Sequence, residues 1–366
     1  MDSPPFDYMA WAKAHQGRYA FDLSVSGMSP PDTTLFPLDP SCLTLQGVST
    51  ELRHQLKRAI ACEYGVDAAQ VLLAAGTSEA NYLVYGALLS PGDGVLVETP
   101  AYQVLTRLPG VFGAHAIPFK RRLDQRYALS VEAVQQAWRP GVKLVALTSP
   151  HNPSGFAASP DALLALGDWL DTVNAFAVVD EVYRDFDPNP PPVAQALHPR
   201  LITTASLTKV YGLGSLRAGW ALMPEALVTK AEQRYDFMAV NPATTMLNLA
   251  LSSFSKLALL RARAIQRAQQ NRALVAAWMS KSTCFSAQLS PHGIIALLQL
   301  PPGADDLMLA EYLAPEKQVL VAPGIYFGAP GTLRIAYGME SARLGEALES
   351  LEAGAQKGLA SMDKYG

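Results

Sequence analysis

Residues 201–220 read LITTASLTKVYGLGSLRAGW. The apolar run with paired threonines, Leu201 to Ser206, predicts a buried strand. Thr208 and Lys209 then enter a loop loosened by Gly212 and Gly214, and Arg217 closes it before Gly219-Trp220. The stretch therefore carries a lysine off the carboxyl end of a strand into a turn. A lone lysine in such a turn is ordinarily a solvated surface group. With Ser206 and Arg217 beside it, the same turn can hold a phosphate while the lysine amine attacks a carbonyl carbon.

The segments around this one set the fold class. Val71–Ala74, Val95–Glu98, Ala114–Pro118, Lys143–Thr148 and Phe176–Asp180 are short apolar runs that predict strands. Helical patterns lie between them, opened by Ser49-Thr50-Glu51, Thr77-Ser78, Ser130-Val131-Glu132 and Asp161. Apolar strands alternating with helices predict a mainly parallel sheet covered on both faces. Ligands of such sheets bind beyond the carboxyl ends of the strands. Three polar clusters share that edge: Ser149 to Gly155, Asp180 to Tyr183, and Ser206 to Lys209.

Strand, Gly76, Thr77-Ser78 and a helix start together form an anion site, because free backbone N–H groups and the helix dipole face whatever lies there. Two hydroxyl residues at a helix start also cap it for the backbone's own sake. Asp180 alone reads equally as a helix cap, and Asn152-Pro153 as a turn. A dinucleotide fingerprint fails at Gly212-Leu213-Gly214-Ser215-Leu216-Arg217, where Arg217 stands in place of the third glycine.

In combination these motifs are specific. Asn152-Pro-x-Gly155, Asp180-Glu-x-Tyr183 and Ser206-x-x-Lys209…Arg217-x-Gly219 occur in the order found in fold-type I pyridoxal-phosphate enzymes of the class I/II aminotransferase family, and the chain resembles that family from about Ser49 to Tyr337. The resemblance implies a large domain with a seven-stranded-type sheet at 46–270. It also implies a smaller α+β domain from 1–45 and 271–366, with an interdomain boundary inside a helix near Arg272. Lys209 is then expected to hold pyridoxal 5'-phosphate as an internal imine and to act as the catalytic base. Asp180 is expected to face the ring nitrogen, with Asn152 and Tyr183 at the ring oxygen and Tyr102, reached through Gly92-Asp-x-Val-Leu-Val-x-x-Pro-x-Tyr102, stacked on the ring. Thr77, Ser78, Ser206, Thr208 and Arg217 are expected around the phosphate. Pro323-Gly324-x-x-Phe327…Leu333-Arg334 is similar to the family's carboxyl-terminal motif, which makes Arg334 the grip on the substrate carboxylate, with Asn152 also near the substrate.

The implied reaction moves an amino group between an α-amino acid and a 2-keto acid. A carbon–sulfur or β-lyase, or a cyclase, on the same scaffold is the alternative and uses the same residues. A non-enzymatic regulator would need an appended DNA-binding module, for which this chain leaves no room. Two departures bear on the substrate. Ser41 to Gln46, before Gly47, lack the tyrosine that reaches the neighbouring subunit's phosphate in the family, and Val25-Ser26-Gly27-Met28 stand where a Gly-x-Pro-Asp substrate loop is usual. A homodimer is implied, with the proline-rich arm over the partner.

The remaining sequence bounds the rest. The first forty residues are rich in turn formers yet carry Phe6, Tyr8, Trp11, Tyr19 and Phe21, so they read as an irregular wrapping segment. Pro224 to Tyr235 predicts a helix, and Pro242 to Ser280 a long helical stretch whose basic run is a solvated face. Ile294–Leu300 and Gln318–Gly324 read as strands flanking a helix at Asp305–Leu313. In 366 residues the net charge is −3 and no basic block occurs, which points away from nucleic acid and membrane surfaces. Three scattered cysteines and six unpaired histidines form neither a disulfide framework nor a zinc pattern. No secretory or membrane-spanning segment is read, and the expected location is cytoplasmic.

Overall fold

The computed structural model describes residues 4–32, 34–36, 39–43 and 50–362. Helix α1 (Asp7–His15) and the short strand β1 (Phe21–Asp22) precede α2 (Thr50–Tyr64). Strands and helices then alternate: β2 (Val71–Ala74), α3 (Thr77–Leu88), β3 (Gly94–Thr99), α4 (Gln103–Val111), β4 (His115–Lys120), α5 (Val131–Ala137), β5 (Val142–Thr148) and α6 (Pro160–Thr172). The series continues with β6 (Phe176–Asp180), the single turn α7 (Ala194–Leu197), β7 (Leu201–Ser206) and β8 (Gly219–Leu222). Helices α8 (Glu225–Asp236), α9 (Thr244–Phe254) and α10 (Leu257–Met279) follow. The chain ends in β9 (Ile295–Gln299), α11 (Asp306–Lys317), β10 (Val319–Leu320), β11 (Ala322–Pro323), β12 (Thr332–Ala336) and α12 (Ser341–Met362).

Seven strands form the central sheet in the order β2-β8-β7-β6-β5-β3-β4. From β4 to β7 every pairing is parallel, and β8 runs antiparallel to both neighbours. Successive side chains of a strand point to opposite faces, so each strand feeds two cores. Val95, Val97 and Val178 pack with Leu83, Leu105 and Val228 on one face. Leu96, Val145 and Val179 pack with Leu163, Leu166 and Leu170 on the other. A second, antiparallel sheet, β11-β12-β9, lies in the carboxyl-terminal third and carries Arg334 in its middle strand.

Three expectations are corrected. The amino-terminal arm is not irregular throughout: residues 7–15 are helical, and Tyr8 and Trp11, one turn apart, bury themselves against Leu320, Ala322 and Phe327. Strand β1 then pairs in parallel with β10, so the arm is fixed to its own chain's carboxyl-terminal part. The helical stretch at 242–280 is two helices. Ser253 and Ser255 donate their hydroxyls to the carbonyls of Leu249 and Ser252, a competition with the helix ladder that falls at the break. The run Gln318–Gly324 is split between two sheets, β10 facing β1 and β11 facing β12. The expected domain boundary after residue 270 falls within α10. Ser49, Gly47 and the positions 44–46 before it lie outside the described residues.

One buried ion pair anchors the sheet edge from which the site is built. Glu98, at the end of β3, accepts from Arg121 Nη1 at 2.7 Å, and both side chains are fully buried. The other Glu98 oxygen accepts from the backbone N and the Oγ1 of Thr148, each at 2.7 Å. Thr148 Oγ1 in turn accepts from Asn152 N at 2.8 Å, so the pair sets the loop that presents Asn152. Glu98→Ala leaves a guanidinium charged in a dry site and is expected to lower the free energy of urea unfolding by about 3–5 kcal/mol. A loss below about 1 kcal/mol contradicts this role.

Candidate active site

The loops after β5, β6 and β7, the start of α3, the amino-terminal arm and β12 surround a cavity of about 350 Å³. Asp180 ends β6 and is buried there. Its Oδ2 accepts from Asn81 Nδ2 at 3.1 Å and its Oδ1 from Val182 N at 3.2 Å, while Thr204 Oγ1 donates to Asn81 Oδ1 at 2.8 Å. Burial pushes the Asp180 carboxyl up to about 6, with the Asn81 and Val182 hydrogen bonds and the charge of Lys209 pulling the other way. Asn81 was not among the expected residues. Its signal is one polar residue on the buried face of α3, one turn beyond Ser78.

Lys209 lines the same cavity, and its Nζ donates to Ser26 Oγ at 3.2 Å. Tyr183 donates to that same oxygen at 2.7 Å. Burial takes the Lys209 amine down to about 8; the positive charges of Arg334 and Arg217 add to this, and Asp180 opposes it. Tyr183 is pushed up to about 12, chiefly by burial. The segment Val25 to Met28 thus stands at the lysine, and Met28 N donates to Lys209 O at 2.8 Å. Gly212, at φ +71°, allows this closeness, since a Cβ there would come within 2.6 Å of Ser29 O.

An anion cradle adjoins the lysine. Gly76, at φ +92°, precedes α3, and a Cβ at that position would collide with the Arg217 guanidinium. Arg217 holds a left-handed backbone at φ 51° and donates to Ala75 O at 2.8 Å. Thr77, Ser78, Ser206 and Thr208 line the cavity beside it, and Ser206 Oγ accepts from Thr208 N at 3.3 Å. Tyr102, which precedes α4, lies edge-on to Phe6 and Tyr8 with centroids at 5.9 and 6.1 Å. Burial raises its hydroxyl well above the ordinary value.

Arg334 is 1% exposed. Its Nη2 donates to Tyr8 Oη at 2.8 Å and to Ser24 O at 2.5 Å, and its guanidinium lies 5.3 Å from the Phe327 ring centre. All eleven residues singled out in the sequence line this one cavity. Ser26, from the segment that stands at the usual position of the substrate loop, completes it with Tyr8, Ser24 and Asn81, and the last three were not anticipated because their parts depend on contacts between distant segments.

Buried polar atoms ordinarily have partners. Among the described residues Thr77 Oγ1, Asn152 Oδ1 and Arg334 Nε are buried without one, and all three belong to residues of this cavity. An anion cradle, a side-chain amide and a buried carboxylate fit pyridoxal phosphate, which presents a phosphate, a phenolic oxygen and a protonatable ring nitrogen. Among the described residues no group of three or more His, Cys, Asp or Glu is placed to hold a metal, and no helix is long and apolar enough to cross a membrane.

Comparison with known proteins agrees with the geometry. Residues 44–351 match the family described as aminotransferase class I and II. Among the relatives, capreomycidine synthase of Streptomyces vinaceus is 28% identical over 78% of this chain and 74% of its own. An aspartate aminotransferase of Streptomyces avermitilis is 26% identical over 81% and 78%. In fold, the chain is similar to a PLP-dependent aminotransferase from Streptococcus suis, with a TM-score of 0.89, 22% identity and coverage of 98% and 99%. The chain belongs to the aminotransferase class I and II family, and pyridoxal phosphate is its cofactor.

Proposed function

We propose that this pyridoxal-phosphate-dependent aminotransferase passes the amino group of an α-amino acid to a 2-keto acid in the cavity beyond β5, β6 and β7, with Lys209 as attachment point and proton carrier. The observation that carries the reading is that Lys209, Asp180 and Arg334 line one cavity of about 350 Å³. When bound, the cofactor supplies an aldehyde carbon and an electron-withdrawing ring. Asp180, oriented by Asn81, keeps the ring nitrogen protonated. Asn152 and Tyr183 would serve the ring oxygen, and Tyr102 would pack against the ring. Thr77, Ser78, Ser206, Thr208 and Arg217 hold the phosphate, whose charge the amino end of α3 favours.

Arg334 holds the α-carboxylate of the substrate. A guanidinium pairs with a carboxylate through two parallel hydrogen bonds, which fixes the direction of the Cα–H bond. Lys209 Nζ takes that proton, and desolvation beside Arg334 supports the role by favouring the neutral amine. The large domain is assigned to 46–270 and the small one to 1–45 with 271–366. A cytoplasmic location is supported by Cys42, Cys62 and Cys284, all free thiols. A homodimer is supported by exposed apolar side chains around α2 and α9. Phe237 is 96% and Val240 62% exposed, next to Asn241 on Arg53, and Leu43 is 66% exposed, next to Cys42 on Asn248.

Three outcomes are expected. The cofactor-loaded enzyme consumes an amino donor and a 2-keto acceptor in equal amounts, and Lys209→Ala lowers this by at least about 10²–10⁴-fold. Full turnover in that variant contradicts the assignment, and release of ammonia or a cyclic product with no acceptor consumed assigns the lyase or cyclase alternative instead. In the cofactor-free protein, labelling of Lys209 by trinitrobenzenesulfonate rises with pH through a midpoint near 8, since the amine is protonated and unreactive below it. A midpoint above about 10, the ordinary lysine value, contradicts the desolvated site. Light scattering gives twice the 39.3 kDa chain mass, and Phe237→Asp shifts it toward one; a wild-type monomer contradicts the dimer.

A further inference from the structure

We infer that the amino donor's side chain ends in a cation, an ammonium or a guanidinium, received by Asp22. The inference rests on the reading of the cavity as an amino-acid site and adds the class of substrate. It starts from the charges that line the cavity. The cations are Lys209, Arg217 and Arg334, and the anions are Asp180 and Asp22. Arg217 belongs to the phosphate, Arg334 to the α-carboxylate and Asp180 to the ring nitrogen. Among the described residues Asp22 is the one charged lining residue left for the substrate's side chain, and no described lining cation remains for an acidic one. An acidic side chain would meet Asp22 as a like charge, which selects against dicarboxylic donors.

Asp22 lines the part of the cavity wall that the amino-terminal arm supplies. Tyr8 of α1 sits on Arg334, and Met9, Ala12 and Gln16 continue along that helix at i, i+3 and i+7 as cavity wall. A substrate held at Arg334 thus has a wall leading two helical turns toward the carboxyl end of α1. That end of a helix carries partial negative charge. Lys13 and His15 of the last turn do not line the cavity, and His15 Nε2 lies 3.4 Å from Glu311. Strand β1 fixes the Asp22 backbone by pairing it with Leu320 of β10.

The carboxylate is also preorganised. Asp22 Oδ1 accepts from Ser24 N at 2.9 Å, Ser24 Oγ at 2.6 Å and Val25 N at 3.2 Å. Its Oδ2 takes part in none of these bonds. Among the described residues none donates to Oδ2, so the group is held in direction by one oxygen while the other can receive a donor, and little side-chain entropy is lost when it does. Asp22 is half-buried, where a charge pair is screened less than at the open surface. A cap on the local turn explains Oδ1 alone. It does not account for a carboxylate where an asparagine would make the same turn.

The test uses two dead-end ligands of equal length, 5-guanidinopentanoate and its neutral isostere 5-ureidopentanoate. Each offers Arg334 a carboxylate, and neither has an α-amino group to react. Binding to the cofactor-loaded enzyme is measured by calorimetry for the wild type and for Asp22→Asn, which keeps the Oδ1 acceptor and removes the charge. The wild type is expected to bind the guanidino ligand at least about tenfold more tightly. In Asp22→Asn the preference falls below about threefold, with the ureido ligand bound as before. Equal binding in the wild type, no binding of either ligand, a preference retained in the variant, or equal weakening of both ligands overturns the inference. The measurement involves no turnover, so failure of amino transfer and failure of this preference are separate results.

Discussion

The site depends on a carboxylate kept charged where water is scarce. Asp180 stands at the tip of a central strand, where burial pushes its carboxyl up. Two donors and a nearby amine oppose that tendency, and the donor from another element, Asn81 of α3, is itself held by Thr204 on the next strand. The chain Thr204–Asn81–Asp180 ties β7, α3 and β6 into one unit. A shift of any of the three would leave a buried polar group unpaired, which costs more than the bond gains in place. The register Asp180 opposite Thr204 is therefore as much a part of the site as the side chains.

Parallel strands that end together explain why the polar clusters meet. The strands β5, β6 and β7 are largely buried, and the polar residues inside β7, Thr203 and Thr204, are hydrogen-bonded to Glu181 and Asn81, so ligand chemistry falls at the carboxyl ends. The smaller sheet then contributes from the other side. Arg334 reaches the cavity from β12, steadied by Tyr8 and by the carbonyl of Ser24 from the arm. The arm is consequently part of the site: it supports the arginine, contacts the lysine through Ser26, and forms part of the cavity wall.

Much of this was legible in the sequence because the chemistry sits on short loops after unmistakable strands. Asn152, Asp180 and Lys209 each follow an apolar run too short for a helix, and their order along the chain is the order of the strands. Legibility ended where tertiary contact decides. Strand β8 is antiparallel and begins at Gly219, just where the loop seemed only to close. Helix α1 is held by Tyr8 and Trp11 packing on residues some three hundred positions away, a source of stability that turn formers nearby conceal. Asn81, Ser26 and Asp22 carry no motif of their own; each acquires meaning from a partner on another element. The missing tyrosine before Gly47 stays a sequence observation, since positions 44–49 lie outside the described residues.

Everything proposed for the site requires that one lysine, Lys209, and no other, carries the aldehyde cofactor. Borohydride reduction of the cofactor-loaded enzyme, followed by digestion and mass spectrometry, locates the attachment directly. The expected product is a reduced phosphopyridoxyl group on the peptide containing Lys209 and on no other lysine. A modification on a different lysine, or none at all in protein that retains the cofactor, would contradict it.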